Sequence, residues 1–188
     1  MKIILASTSP FRRKQLEELN IQFTALPPQF DEDTEKLKHE DLHKLCLLLG
    51  QKKAESLISE FPNCMIIGSD QMLVMGDQFF NKPNSLPEVI ERLTHLNGKT
   101  HTLLTSLFIY TSQKTYSHLD ETHLTMKNLS PEQIKEYAEL DQPIGCAGGY
   151  KYEKNGSHLF KSIQSQDPSS IVGLPTKALT SILKDIGI

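Results

Sequence analysis

Short apolar runs and amphipathic stretches alternate along the whole chain. Lys2 to Ala6 is a compact apolar run that predicts a buried strand. Ser9 then offers an N-cap and Pro10 a first helical position, opening a helix to about Leu19. Ile21 to Leu26 predicts a second strand. From Asp41 to about Ser59, Leu42, Leu45, Leu49, Leu57 and Ile58 suit one face of a long helix, although Gly50 costs it about 1 kcal/mol. Cys64 to Ile67 predicts a buried strand ending in Gly68-Ser69-Asp70. Met72 to Met75 and Gln78 to Phe80 flank Gly76-Asp77, a hairpin signal with glycine first in the turn. Leu86 to Leu96 reads as a helix, and Thr100 to Tyr110 and Lys114 to Met126 as two paired strands. Ser130-Pro131-Glu132 starts another helix, and Pro175 to Ile186 predicts the last. Strands and helices mix throughout, without repeats or low-complexity tracts, which points to an α/β or α+β class.

Length and composition narrow the picture. A chain of 188 residues predicts a single domain, 1–188, with a full hydrophobic core. Twenty basic and 23 acidic residues give a net charge of −3, with 38% hydrophobic and 23% charged residues, a globular composition. No apolar run approaches the roughly 20 residues of a membrane helix, and the apolar part of the N-terminus is too brief for a signal peptide. Cys46, Cys64 and Cys146 are odd in number and widely spaced, which argues against a disulfide framework or a cysteine zinc site and fits a cytoplasmic location. The mildly acidic balance argues against binding polymeric nucleic acid. Charge is uneven, however: Met1 to Leu16 carries Lys2, Arg12, Arg13 and Lys14 and no acid.

Several segments carry candidate chemistry. Ser7-Thr8-Ser9-Pro10-Phe11-Arg12-Arg13 gathers hydroxyls, amide groups and guanidiniums at a helix N-terminus, where orphan N–H groups and the dipole favour a phosphate. The plainer reading is a well-capped helix with solvated arginines, but arginines at the positive end of a helix are unfavourable without an anion. Asp70, after an apolar strand and a glycine, suits a carboxylate that holds a metal or takes a proton from water; a turn aspartate is the commoner role of Gly-Ser-Asp. Asp31-Glu32-Asp33 offers further metal oxygens or a solvated loop. Lys53 and Lys82 are potential phosphate partners, each singly more often an ordinary surface lysine. His39-Glu40-Asp41-Leu42-His43 matches His-Glu-x-x-His, but its charged surroundings and its place at a helix start favour a chance match over a zinc protease. Within Cys146–Glu153 two adjacent glycines permit close backbone approach, and Glu153 could read a base edge.

Together these segments resemble the Maf family of nucleoside triphosphate pyrophosphatases, over nearly the whole chain. The resemblance rests on STSPFRR at 7–13, DE at 31–32, KA at 53–54, GSDQ at 68–71, KP at 82–83, CAGGYKYE at 146–153 and VGLP at 172–175. It implies a mixed α/β fold with an elongated curved sheet flanked by helices and two lobes around a cleft. It also implies hydrolysis of a nucleoside triphosphate to monophosphate and pyrophosphate with a divalent metal (Mg²⁺ or Mn²⁺), and a homodimer. GSDQ and the CAG…E segment resemble the YceF-like subgroup associated with 7-methyl-GTP, rather than the dTTP/UTP subgroup. By the same resemblance Asp70 is the catalytic carboxylate and, with Glu32, a metal ligand. Ser7, Arg12, Lys53 and Lys82 are phosphate-side groups, and Phe11, Gln71 and Glu153 choose the base. Two positions depart from the subgroup's habit, which is tryptophan at the Phe11 position and serine at the Gly149 position. The chemistry agrees: an aromatic face attracts the cationic 7-methylguanine ring by roughly 0.5–2 kcal/mol, and a carboxylate accepts from guanine N1–H and the N2 amine. The competing readings are a dTTP, UTP or other modified-nucleotide pyrophosphatase, a non-catalytic nucleotide sensor linked to septum formation, and, remotely, a metalloprotease.

Overall fold

The computed structural model describes residues 1–36 and 41–188, the side chains of Asp33 and Lys36 excepted. In chain order the elements are β1 (Ile3–Ala6), α1 (Pro10–Glu18), β2 (Thr24–Leu26), α2 (Glu32–Lys36), α3 (Leu42–Glu55), β3 (Met65–Met75), β4 (Gln78–Phe80), α4 (Leu86–Leu96), β5 (Thr100–Tyr110), β6 (Thr115–Met126), α5 (Pro131–Asp141), β7 (Phe160–Gln164) and α6 (Thr176–Ile186). Short 3₁₀ turns cover Asn155–Leu159 and Pro168–Val172. Among the described residues the strands form one mixed sheet in the order β2-β1-β3-β5-β6-β7, with β4 also paired to β3. β1 runs parallel to β2 and β3, whereas β4 and β7 are antiparallel to their partners. The fold is mixed α/β. The chain divides into two compact units: residues 1–71, 105–120 and 167–188, and residues 72–104 and 121–166.

The first unit packs helices on both faces of its strands, because β1 alternates its side chains. Ile3 and Leu5 join Leu16 of α1 and Leu179 and Leu183 of α6 in one buried cluster. Ile4 and Ala6 face the other way, toward Ala54 of α3 and Leu57 just beyond it. A strand covered on both faces reads as a continuous apolar run, which is why Lys2 to Ala6 was visible as one. In the second unit α4 packs against α5, burying Val89, Leu93 and Leu96 on one helix and Ile134, Tyr137 and Ala138 on the other.

Helix starts fall where the caps predict. Ser9 accepts from the Arg12 amide with Pro10 first in α1, and Ser130 and Gln133 complete a capping box on α5. Three expectations need correction. β2 starts at Thr24 rather than Ile21, because Asn20 turns left-handed (φ 56°) and the Ile21 amide closes the end of α1 on the Leu16 carbonyl. α3 ends at Glu55 rather than near Ser59; the chain tightens there, Leu57 and Ile58 donating three residues back, so Leu57 still reaches the core. Most consequentially, the strand from Met65 does not end at Gly68-Ser69-Asp70. It runs on to Met75 and turns through Gly76 (φ +59°) into β4, so Asp70 lies mid-strand rather than at a strand end.

Candidate functional site

The site in the first unit begins with two glycines. A Cβ on Gly68 of β3 would lie 2.2 Å from the Gly50 carbonyl oxygen, and one on Gly50 would lie 2.5 Å from Ser106 Oγ. Glycine at 68 lets α3 lie this close to β3, the usual meaning of an interior strand glycine, while Gly50 leaves room for the Ser106 hydroxyl of β5. One turn beyond Gly50, Lys53 therefore lies against the residue two beyond Gly68. Its Nζ pairs with Asp70 Oδ1, and with Glu32 Oε2 at 2.9 Å. Lys53 is 6% exposed and Asp70 2%. The Asp70 amide donates to Ser106 Oγ at 3.1 Å. Cys46, on the same helix, donates its Sγ–H to the Asp70 carbonyl; burial first and the Asp70 charge second push that thiol far up from its ordinary value, so it stays protonated. Lys53 is thus no surface lysine.

Arg12 adds a second buried cation. It is 6% exposed, so the solvated-arginine reading fails for it, while Arg13 is exposed. Nε donates to the Gly173 carbonyl at 2.8 Å and Nη1 to Ser7 Oγ at 3.4 Å. Burial lowers the guanidinium's pKa, opposed by the fields of Asp70 and Glu32. Ser7 Oγ also accepts from the Ser9 amide at 3.1 Å. The Gly173 carbonyl receives Ser69 Oγ as well, and Gln15 donates its amide to the Ser169 and Leu174 carbonyls. The turn Pro168–Val172 and the residues after it therefore anchor α1 and β3 alike. Sequence reasoning gave no role to Gln15, Ser69 or Ser106; only the VGLP string hinted at this segment.

Buried lysine and arginine beside two carboxylates suit a polyanion that arrives with its own cation. Asp70 and Glu32 each give oxygen, and no group of three or more metal-capable side chains occurs among the described residues. That donor set fits Mg²⁺ or Mn²⁺, which complete their shells with water and phosphate oxygens, and does not fit a closed protein-only site.

A family model described as Maf-like protein matches residues 2–186. The chain belongs to the Maf family. It is similar to proteins named 7-methyl-GTP pyrophosphatase from Alcanivorax borkumensis, at 37% identity covering 99% of this chain and 94% of that protein. The one from Hydrogenovibrio crunogenus is 38% identical, covering 100% and 94%, and that from Bdellovibrio bacteriovorus 37% identical, covering 100% and 98%.

In this Maf chain the remaining candidates divide between the units. Phe11 is half-buried on α1, in the first unit with Ser7, Arg12, Glu32, Lys53 and Asp70. Gln71 is there too, its Nε2 donating to Thr105 Oγ1 and to the Ser170 and Ile171 carbonyls at 3.2, 2.7 and 3.1 Å. That amide is fixed in orientation, with Oε1 as the end it can offer. Lys82 and Glu153 belong to the second unit, and both are exposed. The segment carrying Glu153 is braced from α5: the Lys151 amide donates to the Tyr137 hydroxyl at 2.9 Å, Lys151 Nζ to the Asp141 carbonyl at 2.8 Å, and Asn155 to the Asp141 carboxylate. Cys146, in the same segment, has its thiol pushed up to about 11 by burial. His39 and Glu40 of the His-Glu-x-x-His match lie outside the described residues; His43 is exposed in the first turn of α3. None of the described helices is long and apolar enough to cross a membrane.

Proposed function

We propose that this Maf protein hydrolyses 7-methyl-GTP to 7-methyl-GMP and pyrophosphate, acting as one domain over 1–188 in the cytoplasm, as a homodimer. The observation that carries the reading is the buried Lys53–Asp70 pair, joined by the half-buried Glu32, beside Arg12. The name shared by relatives aligned over the whole chain supports the choice of substrate.

Water attacks the α-phosphorus; the new P–O bond forms as the bond to the bridging oxygen breaks, and pyrophosphate leaves. Lys53 fixes Asp70 Oδ1, so Oδ2 is the oxygen that takes the proton from water. Arg12, its Nε and Nη1 tied down, offers Nη2 to phosphate oxygens without reorganisation, and Ser7 lines the same approach. Lys82 supplies a further cation to the triphosphate. Glu32 and Asp70 would hold a divalent cation, Mg²⁺ or Mn²⁺, which when bound neutralises charge on the triphosphate. Phe11, Gln71 and Glu153 read the base, Gln71 through its carbonyl oxygen alone and therefore toward a donor on the substrate.

The test is a nucleotide panel with Mg²⁺ or Mn²⁺, scoring monophosphate and pyrophosphate. Fastest turnover of 7-methyl-GTP with stoichiometric pyrophosphate is expected. Release of orthophosphate in its place overturns the reaction type, and faster hydrolysis of dTTP or UTP overturns the substrate.

A further inference from the structure

Arg92 lies on α4, outside every motif picked out in the sequence, yet it ties two of those motifs together. Its guanidinium lies over the Phe80 ring, 4.7 Å from the centroid. Nη2 donates to the Asn81 carbonyl at 2.9 Å, immediately before Lys82, and Nη1 to the Ala147 carbonyl at 3.0 Å, near the start of Cys146–Glu153. The same two loops meet directly where the Gly145 amide donates to the Pro83 carbonyl at 2.8 Å. Gly149 completes the fit. It has φ +71°, and a Cβ there would come within 3.3 Å of Arg92 Cγ. The arginine stem thus packs close against this position, and the left-handed backbone favours glycine there.

We propose that Arg92 is a positioning residue that locks the Lys82 loop and the Glu153 loop into one geometry, so that phosphate contact and base reading are set together. The inference rests on the phosphate role of Lys82 and the base role of Glu153 proposed above. A planar guanidinium on an aromatic ring reaches two carbonyls in fixed directions, whereas a lysine ammonium is a single point charge that reaches one of them well. Neither residue stands in a helix or strand, so the Arg92 ties act together with the Gly145–Pro83 backbone bond and the braces from α5 in placing Lys82 and Glu153.

The experiment compares Arg92→Met and Arg92→Lys, alone and combined with Glu153→Gln, by kcat and KM for 7-methyl-GTP and UTP, with Tm measured alongside. Arg92→Met keeps the apolar stem and loses both donors. It should raise KM for both nucleotides and lower the ratio of kcat/KM for 7-methyl-GTP over UTP by about 10-fold, the scale of a small misplacement in a site. Arg92→Lys should restore part of that ratio. With Glu153→Gln present, Arg92→Met should change the ratio less than about two-fold while still raising KM, because the reader it positions is gone. If Arg92→Met and Arg92→Lys lower Tm but leave the ratio as in the parent, Arg92 is only a packing residue and the inference fails. A Glu153→Gln variant with an unchanged ratio defeats the base role of Glu153 itself, and the positioning role with it.

Discussion

Lys53 and Asp70, 17 residues apart, form an ion pair whose side chains are 7% and 2% exposed. A pair so buried is costly to assemble and costlier to break, because removing one member leaves a desolvated charge. Here the lysine has a second carboxylate, Glu32, at 2.9 Å. Losing Asp70 therefore leaves Lys53 still partnered.

Asp70→Asn tests the chemistry with the fold retained. Turnover should fall by about 10²–10⁴, the usual worth of a positioned general base, while Tm falls by only a few degrees. More than about a tenth of the parent activity in a folded variant would move the base elsewhere, with Glu32 the next candidate.

Gly68→Ala tests how the pair is brought together. A Cβ there meets the Gly50 carbonyl and, at 2.9 Å, the Ala54 amide nitrogen, both of them backbone that has nowhere to yield. α3 must move away from β3 and carry Lys53 with it. Stability should drop by about 1–3 kcal/mol or more, and kcat should fall further than the lost folded fraction accounts for. Parent-like Tm and kcat would show that the close approach is not needed.

These two sites also show what a sequence can and cannot reveal. Helix starts at Pro10 and Pro131 were legible because their Ser-Pro caps are local signals. The doubly covered β1 and the Met65–Ile67 start of β3 were legible as apolar runs; the continuation of β3 through Asp70 to Met75 was not. β7 was not: its pattern is mostly exposed and its register comes from pairing with β6. Asp70, Arg12 and Lys53 could be singled out by residue type and motif. Their burial could not, since it depends on Gly50 meeting Gly68 across the chain and on carbonyls of residues 169–174 meeting Gln15, Gln71 and Arg12. Gly50 read alone is a helix defect; in the fold it leaves room for Ser106, while Gly68 lets α3 approach β3.

Arg12→Ala should raise KM for every nucleoside triphosphate by a similar factor, because phosphate contacts hold the substrate without reading its base. The Gly173 carbonyl then loses its Nε partner, though Ser69 Oγ remains at 2.9 Å, so the turn should persist. Kinetics on 7-methyl-GTP, GTP and UTP decide the matter. A loss confined to one base would assign Arg12 to the base pocket.

Acid should weaken the second unit through His101. Its Nε2 lies 2.9 Å from the Tyr150 hydroxyl and its ring packs against Phe160, while Nδ1 is buried without a hydrogen-bond partner among the described residues. Burial, and after it the charge of Arg92, bring its pKa down to about 4. The unfolded chain takes up a proton near pH 6.5 that the folded one refuses until about pH 4, so stability falls as pH drops through that window and levels off below it. The loss attributable to this group is on the order of 3 kcal/mol. His101→Gln keeps a partner for Tyr150 and does not titrate; denaturant melts at pH 7 and pH 4.5 should show a smaller drop for the variant. An equal drop in both proteins would exonerate the histidine.

Base choice is the sharpest test of substrate. Phe11 should stack on the cationic 7-methylguanine ring, and Glu153 should accept its N1–H and N2 hydrogens. A hydrogen bond to a charged group is worth about 1.5–3 kcal/mol, so Glu153→Gln should lower kcat/KM for 7-methyl-GTP by roughly 10- to 100-fold. Hydrolysis of dTTP and UTP should be slow in the parent and should not fall in parallel, because neither base presents that donor pair. Phe11→Leu keeps apolar bulk on α1 but removes the π-face, so it should narrow the preference for 7-methyl-GTP over GTP while leaving KM for GTP nearly unchanged. If both variants lower activity on every nucleotide by the same factor, Phe11 and Glu153 serve the shape of their units rather than the base, and the choice of 7-methylguanine must lie with other groups, Gln71 first among them.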